Sequence, residues 1–304
     1  MATNHQPLAD WQFDIDGVTI GHGTPVLVED VQGLGTPNKR TSEAPIPGED
    51  GSYPGRDLLG PRTLRLTAGI RTPGDPGAAL DLFADLERAA DSDTRLTPGA
   101  TAILRIKRPG QLVRCQFGRV ISAEAASLAR ALYGWLPIEV VFSGLDPAWY
   151  SDTTSGVTLS LDVSPSRRQG FTAPVRTPVT CGSADPKSRP GWAINEGSRR
   201  TWPTLRITGP VVSPRVWVEG ATGAVLDFPT LVLGAGEWID IETRPGTRTV
   251  LRNGLGSAAG ALSRTSRLDQ FTIPPGRSEI RWDAVDSTNT ARLTVTWRNA
   301  YTSL

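Results

Sequence analysis

Asp146, Trp149 and Tyr150 stand together in the stretch GLDPAWYSD (144–152), an acid beside two aromatic rings. That grouping suits a catalytic acid next to a sugar-stacking platform, and it equally suits a seam between two halves of a chain. Asp240 and Glu242, in EWIDIE (237–242), offer a second pair. A glycosidase needs two carboxylates about 5–9.5 Å apart, and residues i and i+2 of a strand share a face at about 6.6 Å. Any alternating strand meets that spacing, however, and Ile239 and Ile241 take the opposite face, so the pair reads as a solvated outer surface. Trp238 shares the Asp240 face and is expected to be exposed. It would either stack on a host glycan or pack against a loop or partner subunit.

Other catalytic and ligand patterns fail on inspection. Asp14 and Asp16 in DIDG resemble the start of a calcium loop, but Thr19 stands where the sharp turn requires glycine. NGLGSAAG (253–260) lacks the G-x-S-x-G spacing of a nucleophile elbow. No phosphate-binding or dinucleotide-binding glycine motif occurs. A zinc site needs about four N or S ligands, and the chain has only Cys115, Cys181, His5 and His22, scattered across it. The expectation is therefore a non-enzymatic protein with no catalytic residue, no cofactor and no metal. The net charge of +1 gives no bias toward nucleic acid or an anionic membrane. No apolar run is long enough to span a bilayer, and the N-terminus lacks the basic-then-apolar pattern of a signal peptide.

The elements that carry these residues are short. With 32 Gly and 25 Pro in 304 residues, turns must be frequent, which favours strands over a helical bundle. Residues 11–31 read as two short strands. Residues 33–60 are turn chemistry almost throughout; a loop of that length is either mobile or functional, often becoming ordered only against a neighbour, and with little core of its own it is the natural arm to reach one. In RTLRLTAGI (62–70), Leu64, Leu66 and Ala68 alternate with Arg65 and Thr67, which predicts a half-buried strand. One helix follows: Asp75 caps it, Pro76 suits its first position, and Ala79, Leu82, Phe83, Leu86 and Ala90 recur at helical spacing. TAILRIKR (101–108) and QLVRCQFGRVI (111–121) form a hairpin about Pro109-Gly110. Residues 122–133 have helical propensity between strands and are left open, and WLPIEVVF (135–142) is a strand.

Residues 151–203 are rich in Ser, Thr, Pro and Arg, with one strand at GVTLSLDV (156–163). Eight short strands then follow from Trp202, at TLRITG, RVWVEG, AVLDF, EWIDIE, RTVLRN, RLDQFTI, SEIRWDA and ARLTVTWRNA, with Trp282 and Trp297 in the core. Such spacing means a β-sandwich or jelly roll. GLDPAWYSD thus separates a strand–helix–strand half from an all-strand half. Pro147 keeps Asp146 out of helical geometry, Asp146 can bond the backbone just beyond it, and Trp149 and Tyr150 can pin the chain where it leaves. The seam reading is preferred, with Asp146, Pro147, Trp149 and Tyr150 as the domain junction.

The order of several segments resembles one family. These are GEDGSYPGRDLLGPRTLRLTAGI (48–70), the aspartate-started helix, PIEVVFSGLDPAWYSD (137–152), WPTLRITGPVVSPRVWVEGATGAVLDF (202–228), LGAGEWIDIET (233–243) and RLDQFTIPPGRSEIRWDA (267–284). Over nearly the whole chain the sequence is similar to the distal tail proteins of long-tailed, non-contractile bacteriophages. The resemblance implies a mainly β fold, with a tail-tube-like, ring-forming domain over 1–150 carrying one α-helix. Over 151–304 it implies a linker tract and a galectin-like β-sandwich, although 151–203 is longer and richer in Pro and Arg than a plain linker.

It implies also a structural virion protein of the tail tip, made in the host cytoplasm. A homo-hexameric ring of it would join the tail tube protein to the tail-tip protein, dock receptor-binding proteins or touch host glycan, and let DNA pass in transit. The near-neutral charge suits a conduit, because a lysine and arginine lining would hold phosphates. The alternative is a carbohydrate-binding protein that recognises cell-wall glycan through the C-terminal sandwich and Trp238.

Overall fold

A computed structural model describes residues 6–91, 96, 97, 99–161, 191–286, 288 and 290–304. The fold is mainly β and divides into two compact units, one running to Thr153 and including Ala300–Leu304, the other Thr154–Asn299. Cys181 and His5 lie outside the described residues, as does the tract beyond Leu161 up to Gly191.

In the first unit, β1 (Gln12–Ile15), β2 (Val18–Gly21), β3 (Val26–Gln32), β8 (Arg62–Arg71), β9 (Ala102–Lys107), β10 (Arg114–Ala125) and β11 (Trp135–Gly144) form one antiparallel sheet in the order β2-β1-β9-β10-β11-β8-β3. Residues 11–31 thus hold three strands rather than two. The alternation expected in β8 is present, with Leu64, Leu66 and Ala68 buried. The hairpin about Pro109-Gly110 is also present, pairing Arg114 with Ile106.

Helix α1 (Pro76–Ala90) starts where expected: the Asp75 carboxylate accepts the Ala78 amide at 2.9 Å, and Ala79, Phe83, Leu86 and Ala89 are buried. The undecided segment 122–133 is half strand and half turn. β10 continues to Ala125, and Leu128–Tyr133 closes the β10–β11 connection as a 3-10 helix. β10 carries a bulge at Ile121 in its pairing with β11.

Between β3 and β8 the loop is not featureless. It forms an arm of two small antiparallel ribbons, β4 (Lys39–Arg40) with β7 (Leu58–Leu59) and β5 (Ala44–Pro45) with β6 (Ser52–Tyr53). Nearly all of its side chains are exposed.

The last strand of the first unit before the chain leaves it is β12 (Trp149–Ser151), paired to β10. The second unit is a two-sheet sandwich. One sheet runs β13 (Ser155–Ser160), β23 (Arg292–Trp297), β15 (Thr204–Thr208), β19 (Trp238–Glu242), β20 (Thr249–Arg252), β21 (Gly256–Ser257). The other runs β14 (Trp192–Asn195), β22 (Gly276–Val285), β16 (Val211–Val218), β17 (Val225–Asp227), with β18 (Val232–Leu233) also on β16.

Leu205, Ile207, Ile241 and Val295 from the first sheet meet Val216, Val218, Ile280 and Trp282 from the second in one core. Trp282 and Trp297 are buried as expected. Each indole N–H crosses to the other sheet, onto the Ser160 carbonyl at 2.9 Å and the Ile194 carbonyl at 3.0 Å.

One expected strand is absent. RLDQFTI (267–273) is a turn with a single bridge from Ile273 to Thr201, because Asp269 folds back onto Arg267 at 3.0 Å and Pro274 and Pro275 deny the ladder its donors. Phe271 and Ile273 still reach the core. The chain then returns: β24 (Ala300–Tyr301) pairs with β12, so the last five residues belong with the first unit rather than with 151–299.

Candidate functional site

Two arginines organise the residues around GLDPAWYSD. Arg62, in phase with Leu64 and Leu66 on β8, is buried. Its guanidinium donates to the carbonyls of Gly33 (3.1 Å), Leu34 (3.0 Å), Gly35 and Pro147 (3.1 Å), and it lies 5.1 Å from the Trp149 ring centroid. The root of the arm and the start of β12 are thereby fastened to one side chain. Around them, Asp146 accepts the Ala148 amide at 2.7 Å and the Tyr150 hydroxyl at 3.0 Å, and its own carbonyl accepts from Gln116. Tyr150 packs edge-on against Phe117, and Trp149 is fully buried with no hydrogen-bond partner for its indole N–H.

Arg105 forms the second knot. It binds Asp152 through two bonds (2.9 and 2.6 Å), Asp14 at 2.9 Å and the Gln6 carbonyl at 3.0 Å. Burial pulls the guanidinium pKa down, and the hydrogen bonds and charges of Asp152 and Asp14 outweigh it, holding Arg105 above its ordinary value. Arg105 and Arg62 were missed by pattern reading. Asp146, Pro147, Trp149 and Tyr150 were singled out, and they sit together where the chain leaves the first unit.

The Asp146 carboxylate is held by local donors, the Ala148 amide on one oxygen and the Tyr150 hydroxyl on the other. Asp240 and Glu242 do share the outer face of β19, with Ile239 and Ile241 buried beneath. Asp240 is held by Arg206 at 2.6 and 2.9 Å, and its hydrogen bonds lift the Arg206 guanidinium above its usual value. Glu242 is held by the Thr204 hydroxyl at 3.2 Å and by Arg244 at 2.8 Å.

Trp238 is half-buried rather than fully exposed. Its indole N–H is spent on Asp240 at 3.1 Å and Arg206 lies 5.5 Å from its ring centroid. The indole N–H and the polar groups beside the ring are thus already engaged with one another. Among the described residues no cluster of three or more His, Cys, Asp or Glu could hold a metal, and no helix is long and apolar enough to cross a membrane.

The chain superposes along its length on the crystal structure of the Dit protein of phage SPP1, described as a paradigm of the hub adsorption apparatus in phages infecting Gram-positive hosts. The TM-score is 0.58 at 15% identity, over 95% of this chain and 98% of that one. The fold is that of the Dit hub protein. A chain of the phage P2 baseplate in its activated conformation gives the same result. In the structure with Ca the TM-score is 0.52 at 12% identity, and in the one with Sr it is 0.53 at 12%, each over 94% of this chain and 97% of that one. No protein-family model and no curated protein matches the sequence. The Dit fold thus extends over both units, at a sequence identity where fold is what is shared.

Proposed function

We propose that this chain is a structural, non-enzymatic protein of a phage tail, the distal hub at which the tube meets the adsorption apparatus. The observation that carries the reading is the likeness in fold to the SPP1 Dit protein over nearly all of both chains. The engagement of Asp240 by Arg206 and of Glu242 by Arg244, the carboxylate pair singled out by spacing, also favours a non-catalytic role.

In this reading the first unit, residues 1–150 with the returning strand Ala300–Tyr301, builds a homo-hexameric ring, and the sandwich within 151–299 is a second, galectin-like domain. Asp146, Pro147, Trp149 and Tyr150 act as the seam that anchors the sandwich's root. The ring lies between the tail tube protein and the tail-tip protein, offers a seat for receptor-binding proteins, and lets DNA through its centre. A ring made from one chain needs a heterologous contact that closes by rotation, and the arm between β3 and β8 supplies a protruding element without a core of its own. A stable contact of this kind buries about 1,000 Å² or more in total.

The test is electron microscopy of the purified full chain together with native mass measurement. Six-fold rings are expected. A chain that stays monomeric at every concentration, or closes with another symmetry, would overturn the hexameric hub.

A further inference from the structure

We infer that the sandwich carries a binding site for a short, uncharged glycan, in the cavity at the start of β22 lined by Trp192, Glu219, Ala221, Pro274, Arg277 and Glu279. The site would work whether or not copies close into a ring, and it lies on the opposite sheet from Trp238.

Alternation along β22 builds it. Ser278, Ile280 and Trp282 are buried, which leaves Arg277, Glu279 and Arg281 on the outer face. Trp192 on β14 stands directly across from Glu279, and the Glu219 amide, just beyond β16, donates to the Glu279 carbonyl at 2.8 Å. With Ala221 and Pro274 these residues line a cavity of about 540 Å³. Small-molecule sites typically occupy about 300–1,000 Å³.

Three groups there lack partners among the described residues. The Trp192 indole N–H is buried and meets no acceptor, and buried donors in native structures are rarely left so unless something outside the chain supplies one. Arg277 lies 3.7 Å from the Trp192 ring centroid. That stack fixes the guanidinium, and no carboxylate or carbonyl accepts from it. One Glu219 oxygen takes the Trp217 indole N–H at 3.0 Å and Arg281 at 3.5 Å, and the other meets no donor.

Charge selects the ligand. Arg281 also holds Glu279 at 2.9 Å, so two carboxylates and two guanidiniums share the site and cancel. An anion drawn to Arg277 would face Glu219 and Glu279, and a cation drawn to the glutamates would face Arg277 and Arg281. A neutral ligand must therefore satisfy free donors and a free acceptor side by side. A hydroxyl both donates and accepts, so neighbouring hydroxyls of a sugar ring can bridge the carboxylate and the guanidinium while its C–H groups cover Ala221 and Pro274. A peptide backbone offers its donors and acceptors in the fixed alternation of its amides, which suits a sheet edge better than a cavity.

The test presents the full chain with uncharged hexose and N-acetylhexosamine oligomers of two to four units, the same oligomers carrying uronate or phosphate, and short peptides. Binding to members of the uncharged set is expected. Glu219→Gln and Arg277→Gln should each weaken it at least about ten-fold, as loss of a hydrogen bond to a charged group implies, with melting temperatures unchanged because both side chains are exposed. Trp192→Phe should weaken it through loss of the N–H, and Trp238→Phe should leave it as it was. Preference for the charged oligomers or the peptides, binding that survives both exchanges, binding lost in Trp238→Phe, or binding to none of the set overturns the site. A chain that forms rings yet binds none of the sugars loses this site and keeps the hub; a chain that binds them but forms no ring does the reverse.

Discussion

Burying Arg105 between Asp14 and Asp152 makes the first unit depend on three side chains at once. Removing one partner of a buried ion pair strands the others and costs about 3–5 kcal/mol. Arg105→Met is therefore expected to lower stability by about that amount in urea-induced unfolding. Trp149 is a sharper probe of the packing around Arg62. Trp149→Ala opens a cavity worth about 3–5 kcal/mol, whereas Trp149→Phe keeps most of the packing and removes an N–H that has no acceptor, so it should cost well under half as much.

In the second unit, burial pushes the Asp286 carboxyl up. The amides of Ala291, Thr288 and Thr290 and the Thr288 hydroxyl outweigh that and bring it from 3.8 down to about 2. A pKa lower in the folded state stabilises above about pH 4, and that contribution is lost as the pH falls toward 2. Asp286→Asn should flatten the decline in melting temperature across that window. At this scale the sequence was partly legible. Arg62 keeps the inward phase of Leu64 and Leu66, a signal open to pattern reading. Arg105 and Asp14 lie out of phase with their buried neighbours, and only their cross-strand pairing reveals the knot.

Elements were more legible than residues, because hydrophobic period and cap chemistry act locally. Helix α1 begins at the predicted cap, and β8, β11, β19 and β23 follow their alternation. Where the sequence misled, RLDQFTI (267–273) alternates like a strand, yet Asp269 bonds back to Arg267 and Pro274 and Pro275 follow, and the segment is a loop that still feeds Phe271 and Ile273 to the core. The arm is the opposite case, since its turn-rich composition hid two ribbons. Its shape depends on Gly55, where a Cβ would stand 1.7 Å from the Ser42 carbonyl oxygen. Gly55→Ala must deform the arm without touching the core. The expected outcome is a melting temperature close to the parent's, since surface changes seldom exceed about 0.5 kcal/mol, together with loss of oligomers in native mass spectra.

At the scale of the whole molecule, the return of β24 to β12 could not be read from Ala300 and Tyr301, because the pairing spans almost half the chain and two residues carry no period. The ring reading makes its prediction at the same scale. A chain whose arm residues 39–59 are replaced by a short Gly-Ser linker keeps the buried core of the first unit and loses the protruding element that a closing contact between copies needs. It should melt close to the parent's temperature, since the replaced side chains are exposed, and stay monomeric in mass photometry at concentrations where the parent assembles. An arm-less chain that still closes into rings would refute the arm's part in assembly.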